Sequence, residues 1–131
     1  MPLLLDTQIL IWWLLGDQRL RATTQELIAT QPCHVSVACI WEVAIKASLG
    51  RGDFQVEPHA LRMGLLREGF RELPIQTEHV LAVQHLPWIH RDPFDRLLVA
   101  QAQARSFTLL TCDRALTDYG AAVRWAGRPG P

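Results

Sequence analysis

Short apolar runs alternate along the chain with longer stretches in which apolar residues recur every three or four positions. Continuous apolar runs are typical of strands buried in a parallel sheet, and the longer period is typical of helices. The runs predicted as strands are LLL at residues 3–5, HVSV at 34–37, FRELPI at 70–75, FTLLT at 107–111 and AVRWA at 122–126. Their alternation with helices predicts an α/β sandwich around a mostly parallel sheet.

Proline, glycine and short polar residues mark the ends of the predicted helices. The helices are expected at residues 7–15, 22–30, 37–49, 59–68, 77–86, 93–105 and 114–119. Asp92 followed by Pro93 has the signature of an N-cap with proline at the first helical position, and Ser36 fits the same capping role for the third helix. Because no repeat or linker interrupts the series, we expect one domain over residues 1–126 and a flexible tail at 127–131.

Composition narrows the class of protein. Of the 131 residues, 49% are apolar and 20% are charged, which excludes a disordered chain. Thirteen basic residues balance thirteen acidic ones, so any contact with nucleic acid has to be local. The three cysteines show no CxxC spacing, which disfavours a disulfide framework and a zinc site, and the apolar run at residues 9–15 is too short to cross a bilayer. We therefore expect a cytoplasmic protein that does not contact membranes.

Two carboxylates follow predicted strands. Asp6 comes directly after residues 3–5, and Asp113 comes two residues after FTLLT. In open parallel sheets, ligands bind beyond the carboxyl ends of the strands, so both acids belong to the edge where a site is expected. Aspartate at a strand-to-helix junction is also a common N-cap. The cap is the better explanation for Asp113 taken alone and an equally good one for Asp6.

A third acid, Glu42, lies on a predicted helical face. Ala38, Glu42, Ile45 and Leu49 recur at steps of four, three and four, which places the carboxylate on an otherwise apolar stripe. An unpaired charge buried there would be costly. The alternative is an ion pair with Lys46, four residues later, which stabilises an exposed helix by only about 0.2–0.5 kcal/mol. The stripe therefore favours a functional role for Glu42.

The segment DPFDR holds two more carboxylates. Asp92 has a sufficient role as the cap, whereas Asp95 falls in the first turn of the helix, where an acid interacts favourably with the helix dipole. Mg²⁺ and Mn²⁺ prefer oxygen ligands, and a group of carboxylates can hold one or two such ions. In phosphodiester hydrolysis, ions held in this way activate water and stabilise charge on the leaving oxygen. The candidate ligands are Asp6, Glu42, Asp95 and Asp113.

Five segments, in this order, resemble the PIN domain of VapC-type ribonuclease toxins. They are LLLDTQILIWWL, VSVACIWEVAIKASLG, GFRELPI, HRDPFDRLLVAQA and LLTCD, and the resemblance spans residues 3–119. It implies a Rossmann-like three-layer α/β/α sandwich and metal-dependent cleavage of RNA by the toxin of a toxin-antitoxin pair. It also implies Mg²⁺ or Mn²⁺ as the cofactor, an RNA substrate, a small VapB-like antitoxin and a homodimer. The family's acids fall on Asp6, Glu42, Asp95 and Asp113.

Some polar positions around the acids also match the family. Thr7 and Thr111 match residues that flank the cluster. Asp92 is also common in these toxins, so the resemblance leaves open a supporting role beside its capping role. Gln8 is a departure, because the first motif of these toxins often has histidine there. Glutamine keeps hydrogen-bonding capacity but cannot titrate, so any catalytic role for this position is in doubt.

A small basic fringe surrounds the DPFDR acids. It consists of His90, Arg91 and Arg96. These side chains either contact the phosphate of a substrate or pair with Asp92, Asp95 or one another, and the sequence supports the two explanations equally.

Two other functions fit parts of the sequence. A haloacid-dehalogenase-like phosphatase also starts with an apolar strand and a nucleophilic aspartate, which here would be Asp6. That family usually has a second aspartate two positions later, where this chain has Gln8. The other alternative is a non-catalytic PIN-like binding module, and the presence of all four acids argues against it.

Overall fold

A five-stranded, fully parallel sheet forms the centre of the computed structural model, which describes residues 1–127. The strands are β1 (Leu3–Leu5), β2 (Cys33–Ser36), β3 (Arg71–Leu73), β4 (Thr108–Thr111) and β5 (Val123–Trp125), in the order β3-β2-β1-β4-β5. With helices on both faces of this sheet, the fold is the predicted Rossmann-like three-layer α/β/α sandwich. The tail was predicted at residues 127–131, and residues 128–131 lie outside the described part of the chain.

The helices follow the predicted order. They are α1 (Thr7–Leu15), α2 (Ala22–Thr30), α3 (Val37–Ser48), α4 (Pro58–Arg67), α5 (Thr77–Ala82) and α6 (Pro93–Arg105), with 3₁₀ turns at Val83–His85 and Arg114–Tyr119. The main differences are at the ends of strands: β3 covers Arg71–Leu73 rather than residues 70–75, and β2 ends at Ser36 rather than at residue 37. Ser36 Oγ accepts a hydrogen bond from the Ala38 N–H at 3.0 Å, which starts α3 at Val37 and ends the strand one residue earlier.

The position of β1 in the centre of the sheet determines where a ligand site can form. Leu3, Leu4 and Leu5 have no exposed surface, because strands pair with β1 on both sides and helices cover it. β2 and then β3 follow on one side of β1. After β3 the chain crosses β1, and β4 and β5 follow on the other side. The carboxyl ends of β1 and β4 therefore flank the point at which strand order reverses, where ligands bind in folds of this kind.

No helix within residues 1–127 combines the length and the apolar character that a membrane span requires.

Candidate metal centre

Four carboxylates from separate parts of the chain line one cleft at the carboxyl end of the sheet. Asp6 follows β1, Glu42 lies on α3, Asp95 lies in the first turn of α6, and Asp113 follows β4. The cleft has a volume of about 170 Å³, and the rest of its wall consists of Thr7, Gln8, Ile11, Lys46, Phe54 and Cys112. The structure thus brings together all four acids that the sequence suggests as ligands.

Asp6 is buried at the base of the cleft, with 6% of its surface exposed. Its Oδ1 accepts a hydrogen bond from the Ile9 N–H at 2.9 Å, which caps α1, and its Oδ2 accepts from the Cys112 N–H at 3.1 Å. The Thr111 hydroxyl also donates to Asp6, and it accepts a hydrogen bond from the Asp113 N–H at 3.0 Å. Burial raises the pKa of Asp6 in spite of these donors. Asp6 therefore joins the ends of β1 and β4 as well as lining the cleft.

Glu42 has one partner on each carboxylate oxygen. Thr7 Oγ1 donates to Oε1 at 2.6 Å, and Lys46 Nζ lies 3.3 Å from Oε2, so the alternative ion pair is formed. The expectation of a buried stripe is wrong beyond Glu42, because Ile45 and Leu49 are 38% and 59% exposed. Sequence periodicity identifies a face of α3 but not the point at which neighbouring elements cease to cover it. Glu42 therefore pairs with Lys46 and also lines the cleft.

Asp95 has the fewest partners of the four acids. Asp92 Oδ1 caps α6 by accepting hydrogen bonds from the Phe94 N–H at 2.8 Å and the Asp95 N–H at 3.3 Å, which fixes the turn that carries Asp95. Among residues 1–127, no group donates a hydrogen bond to the Asp95 carboxylate, and His90 Nε2 lies 3.8 Å from it. Burial, together with the charges of Asp92 and Asp6, raises the pKa of Asp95 to about 7.

His90 joins the acids that follow β4 and begin α6. Its Nε2 lies 2.7 Å from Asp113 Oδ2, while its Nδ1 accepts a hydrogen bond from the Asp92 N–H at 3.1 Å. This pattern assigns the ring proton to Nε2, which donates to Asp113. Asp113 Oδ1 also accepts from the Ala115 N–H at 3.0 Å, as expected of a cap. One ligand atom from each of His90, Asp95 and Asp113 lies within 4.8 Å of the other two. Because His90 Nε2 carries the proton in this arrangement, the two carboxylates, and not the imidazole, offer lone pairs to a cation.

Arg96 does not belong to the basic fringe that the sequence suggests. It is 3% exposed, and it forms no ion pair with an acid in the described part of the chain. Its guanidinium donates at 2.9–3.4 Å to the Tyr119 hydroxyl and to the backbone carbonyls of Val83, Leu86, Pro87 and His90. Adjacent helical residues point about 100° apart, so Arg96 faces the segment before α6 when Asp95 faces the cleft. Both explanations offered for Arg96 are therefore wrong, whereas Arg91 remains exposed beside the site.

Tyr119 supports His90, and no pattern in the sequence indicates this role. The Tyr119 hydroxyl accepts hydrogen bonds from the His90 N–H at 3.0 Å and from Arg96 Nη1 at 3.1 Å. The hydroxyl and the guanidinium thus hold the backbone that carries the imidazole. Because the two residues are 29 positions apart, only the shared sheet edge brings them together.

The cleft carries more negative charge than its basic residues offset. Lys46 pairs with Glu42, and the His90 ring as hydrogen-bonded donates one N–H to Asp113. Among the residues that the structure describes, Asp6 and Asp95 have no cationic partner of this kind, and burial raises the pKa of both. A cleft in this condition takes up positive charge, as protons or as a metal ion. Since its donors are mainly carboxylate oxygens, the residues present fit a hard divalent cation.

Comparison with known proteins identifies both a family and a fold. The family model described as "PIN domain" matches residues 3–122. A structure of VapBC2 from Rickettsia felis bound to a DNA fragment from its promoter has a TM-score of 0.70 at 14% identity, covering 95% of this chain and 98% of that chain. FitAcB from Neisseria gonorrhoeae has a TM-score of 0.65 at 20% identity, covering 92% and 95% respectively.

A toxin-antitoxin complex from Klebsiella pneumoniae has the same fold, with a TM-score of 0.63 at 19% identity over 92% of this chain and 94% of that chain. At these identities the structures show likeness of fold alone, and no curated protein sequence matches the chain. The family model, however, extends from β1 to the residue before β5 and includes all four acids. The chain belongs to the PIN-domain family.

Proposed function

We propose that the chain is a metal-dependent endoribonuclease and the toxin of a toxin-antitoxin pair. The observation that carries this proposal is the carboxylate cleft, in which Asp95 has no hydrogen-bond donor among residues 1–127 and burial raises the pKa of Asp6 and Asp95. PIN domains are generally nucleases, which agrees with a cleft suited to hard divalent ions. The toxin role is supported by the Klebsiella pneumoniae structure, described as a toxin-antitoxin complex.

The ligands in this proposal are Asp6, Glu42, Asp95 and Asp113, which would hold Mg²⁺ or Mn²⁺. When bound, such an ion activates water and stabilises negative charge on the leaving oxygen of a phosphodiester. The hydroxyls of Thr7 and Thr111 donate to Glu42 and Asp6 and so orient these carboxylates. The His90 N–H does the same for Asp113, and Asp92 caps the turn that presents Asp95.

Arg91 is the residue of the predicted fringe that we assign to the substrate. It is exposed beside His90 and forms no ion pair within the described residues. An exposed guanidinium on the residue that follows His90 offers the planar donors that phosphate oxygens accept. In this proposal Arg91 would be the positively charged contact for a phosphate of the substrate whose scissile bond lies at the carboxylate cleft.

We also propose a small VapB-like antitoxin that covers the cleft. The proposal is supported by the likeness of fold to VapBC2 and FitAcB. An arginine supplied by this partner would pair with the acids that lack a cation, Asp6 and Asp95. Replacing that arginine should abolish inhibition of cleavage, and unchanged inhibition would contradict the contact.

A homodimer in the cytoplasm completes the proposal. An apolar groove between α3, α5 and α6 includes Trp41 and Val80, which are 55% and 51% exposed, and we assign this surface to the dimer contact. Substitution of Trp41 by aspartate should then give a monomer in light scattering. The buried free thiols of Cys33 and Cys39 agree with a reducing compartment.

The central test is cleavage of RNA by the purified protein. Cleavage should require Mg²⁺ or Mn²⁺, should stop with a chelator, and should be lost in Asp95→Asn. Asp118→Asn is the matched control, because Asp118 is an exposed aspartate outside the cleft. The proposal is wrong if neither ion supports cleavage or if Asp95→Asn cleaves as fast as the wild type.

The structure gives no support to the phosphatase alternative. The position of that family's second aspartate is held by Gln8, which lines the cleft and offers no carboxylate.

A further inference from the structure

Trp88 is the most exposed large hydrophobic side chain within residues 1–127. It is 80% exposed and lies in the short segment between the 3₁₀ turn Val83–His85 and α6. An indole of this size is normally at least partly buried, because its apolar surface is large. Its exposure two residues before His90 indicates that it contacts something other than this chain.

The Trp88 ring is held in place although it is exposed. Arg96 Cζ lies 4.1 Å from the ring centroid, so the guanidinium covers one face of the indole. Arg96 is itself 3% exposed and fixed by its hydrogen bonds, which makes it a rigid support. Since 80% of the residue remains exposed, the other face of the ring is open to solvent. A ring that is already oriented loses little conformational freedom when a flat ligand stacks on it.

Arg96, which supports the Trp88 ring, also holds the backbone of His90. Arg96 Nη1 donates to the His90 carbonyl at 3.4 Å and to the Tyr119 hydroxyl at 3.1 Å, and Tyr119 holds the His90 N–H. The imidazole then reaches Asp113 at 2.7 Å. Two residues of chain reach at most about 7 Å, so the Trp88 backbone lies close to the backbone of His90. The indole and the cleft are parts of one connected unit.

We propose that the open face of Trp88 stacks an unpaired base of an RNA strand whose neighbouring phosphate lies at the carboxylate cleft; this rests on the proposed ribonuclease function. Stacking on an aromatic ring binds single-stranded nucleic acid with little dependence on sequence, because every base has a π face. Arg91 lies between the indole and the cleft along the chain and is exposed, so it can contact the phosphate that joins the two positions. A base on Trp88 would also orient the strand across the cleft.

The proposal is tested by binding of a fluorescent 12-nucleotide single-stranded RNA to protein carrying Asp95→Asn, which prevents cleavage. In this background, Trp88→Leu should weaken binding by about 10-fold or more, within the range for loss of one stacked base, and Trp88→Phe should retain most of the affinity. Leucine keeps the apolar contact but has no π face. Comparing Trp88→Leu with Trp88→Phe therefore separates stacking from general hydrophobic contact. Met63→Ala, at an exposed apolar side chain on α4 outside the cleft and the apolar groove, is the control and should leave RNA binding unchanged.

A second ligand distinguishes binding of the RNA bases from binding of the ribose-phosphate backbone. An oligomer with the same ribose-phosphate backbone and no bases should bind wild-type and Trp88→Leu proteins equally. Thermal unfolding checks that the Trp88 variants remain folded, which is expected because the side chain is on the surface.

The outcomes separate this inference from the proposed function. If wild-type protein cleaves RNA while Trp88→Leu and wild type show the same affinity and KM, the base-stacking role is wrong and the ribonuclease remains. If Trp88→Leu binds RNA normally but loses the antitoxin, the ring is a protein contact and the inference is again wrong. If the wild type neither binds nor cleaves RNA with Mn²⁺, the ribonuclease proposal fails and the inference fails with it.

Discussion

Asp95 is the carboxylate whose replacement should most clearly separate stability from function. Asparagine has nearly the same shape and carries no charge, so Asp95→Asn removes the repulsion from Asp92 and Asp6 and the cost of burying a charge. We expect the metal-free variant to be more stable than the wild type at pH 8. The same change should remove the stabilisation that a bound divalent ion gives.

The magnitude follows from the pKa of Asp95. The difference between the ordinary value of 3.8 and about 7 corresponds to about 4 kcal/mol, at about 1.4 kcal/mol for each tenfold change in proton affinity. The side chain is 24% exposed, so solvent screens part of the repulsion, and we expect about 2 kcal/mol. For a domain of this size, that gain raises the melting temperature by about 6 °C.

The effect has a defined pH dependence. Below about pH 4, the Asp95 carboxyl is protonated in the folded and unfolded chains alike, so the variant and the wild type should be equally stable. As the pH rises from about 4 to about 7, the unfolded chain releases this proton while the folded chain keeps it. The folded state therefore loses stability over this range, and the full difference is present above pH 7.

Thermal unfolding of metal-free wild type and Asp95→Asn at pH 8 and pH 4 measures the stability difference. Titration with Mn²⁺ at pH 8 then measures the ion's contribution, which is about 2.7 kcal/mol at one hundred times the dissociation constant. Asp118→Asn should behave as the wild type in both experiments, since Asp118 is exposed and does not line the cleft. A variant no more stable than the wild type at pH 8, or equally stabilised by Mn²⁺, would refute the reasoning.

Three further substitutions test other parts of the site. Asp92→Asn should lose less RNA cleavage than Asp95→Asn, because asparagine can still cap α6; equal losses would show that the two roles are wrongly divided. Arg96→Lys should lower the free energy of unfolding by about 2–4 kcal/mol in urea denaturation, because one ammonium cannot satisfy the four backbone carbonyls and the Tyr119 hydroxyl that the guanidinium contacts. A loss below about 1 kcal/mol would contradict the role of this support. Glu42→Gln should abolish growth arrest on expression while the exposed Glu26→Gln retains it, and arrest that survives in Glu42→Gln would favour binding without cleavage.

The order of elements and the location of the cleft follow from local features of the sequence. Buried strands, capping residues and proline are local signals, and the parallel arrangement then places Asp6 and Asp113 at one edge of the sheet. Asp95 is similarly located by its fixed distance from the cap at Asp92. These inferences succeed because each depends on neighbours within a few residues.

The support of the site depends on contacts that no local pattern contains. The sequence suggests a phosphate contact or an acid pair for Arg96, whereas the guanidinium binds the carbonyls of a segment up to 13 residues away. His90 meets Asp113 across 23 residues, and Tyr119 meets His90 across 29. Only the path of the chain between α5 and α6 determines these contacts, and that path depends on the packing of the whole domain.

The caps at the cleft affect how the catalytic competence of related chains should be judged. Asp6, Asp92 and Asp113 each accept a backbone hydrogen bond that begins a helix or a 3₁₀ turn, so selection for folding alone can preserve them. Asp95 and Glu42 cap no element within residues 1–127. A relative that has lost its activity would therefore be expected to keep the three aspartates and to change at Asp95 or Glu42. These two positions, rather than a count of acids, are the informative markers of an active member.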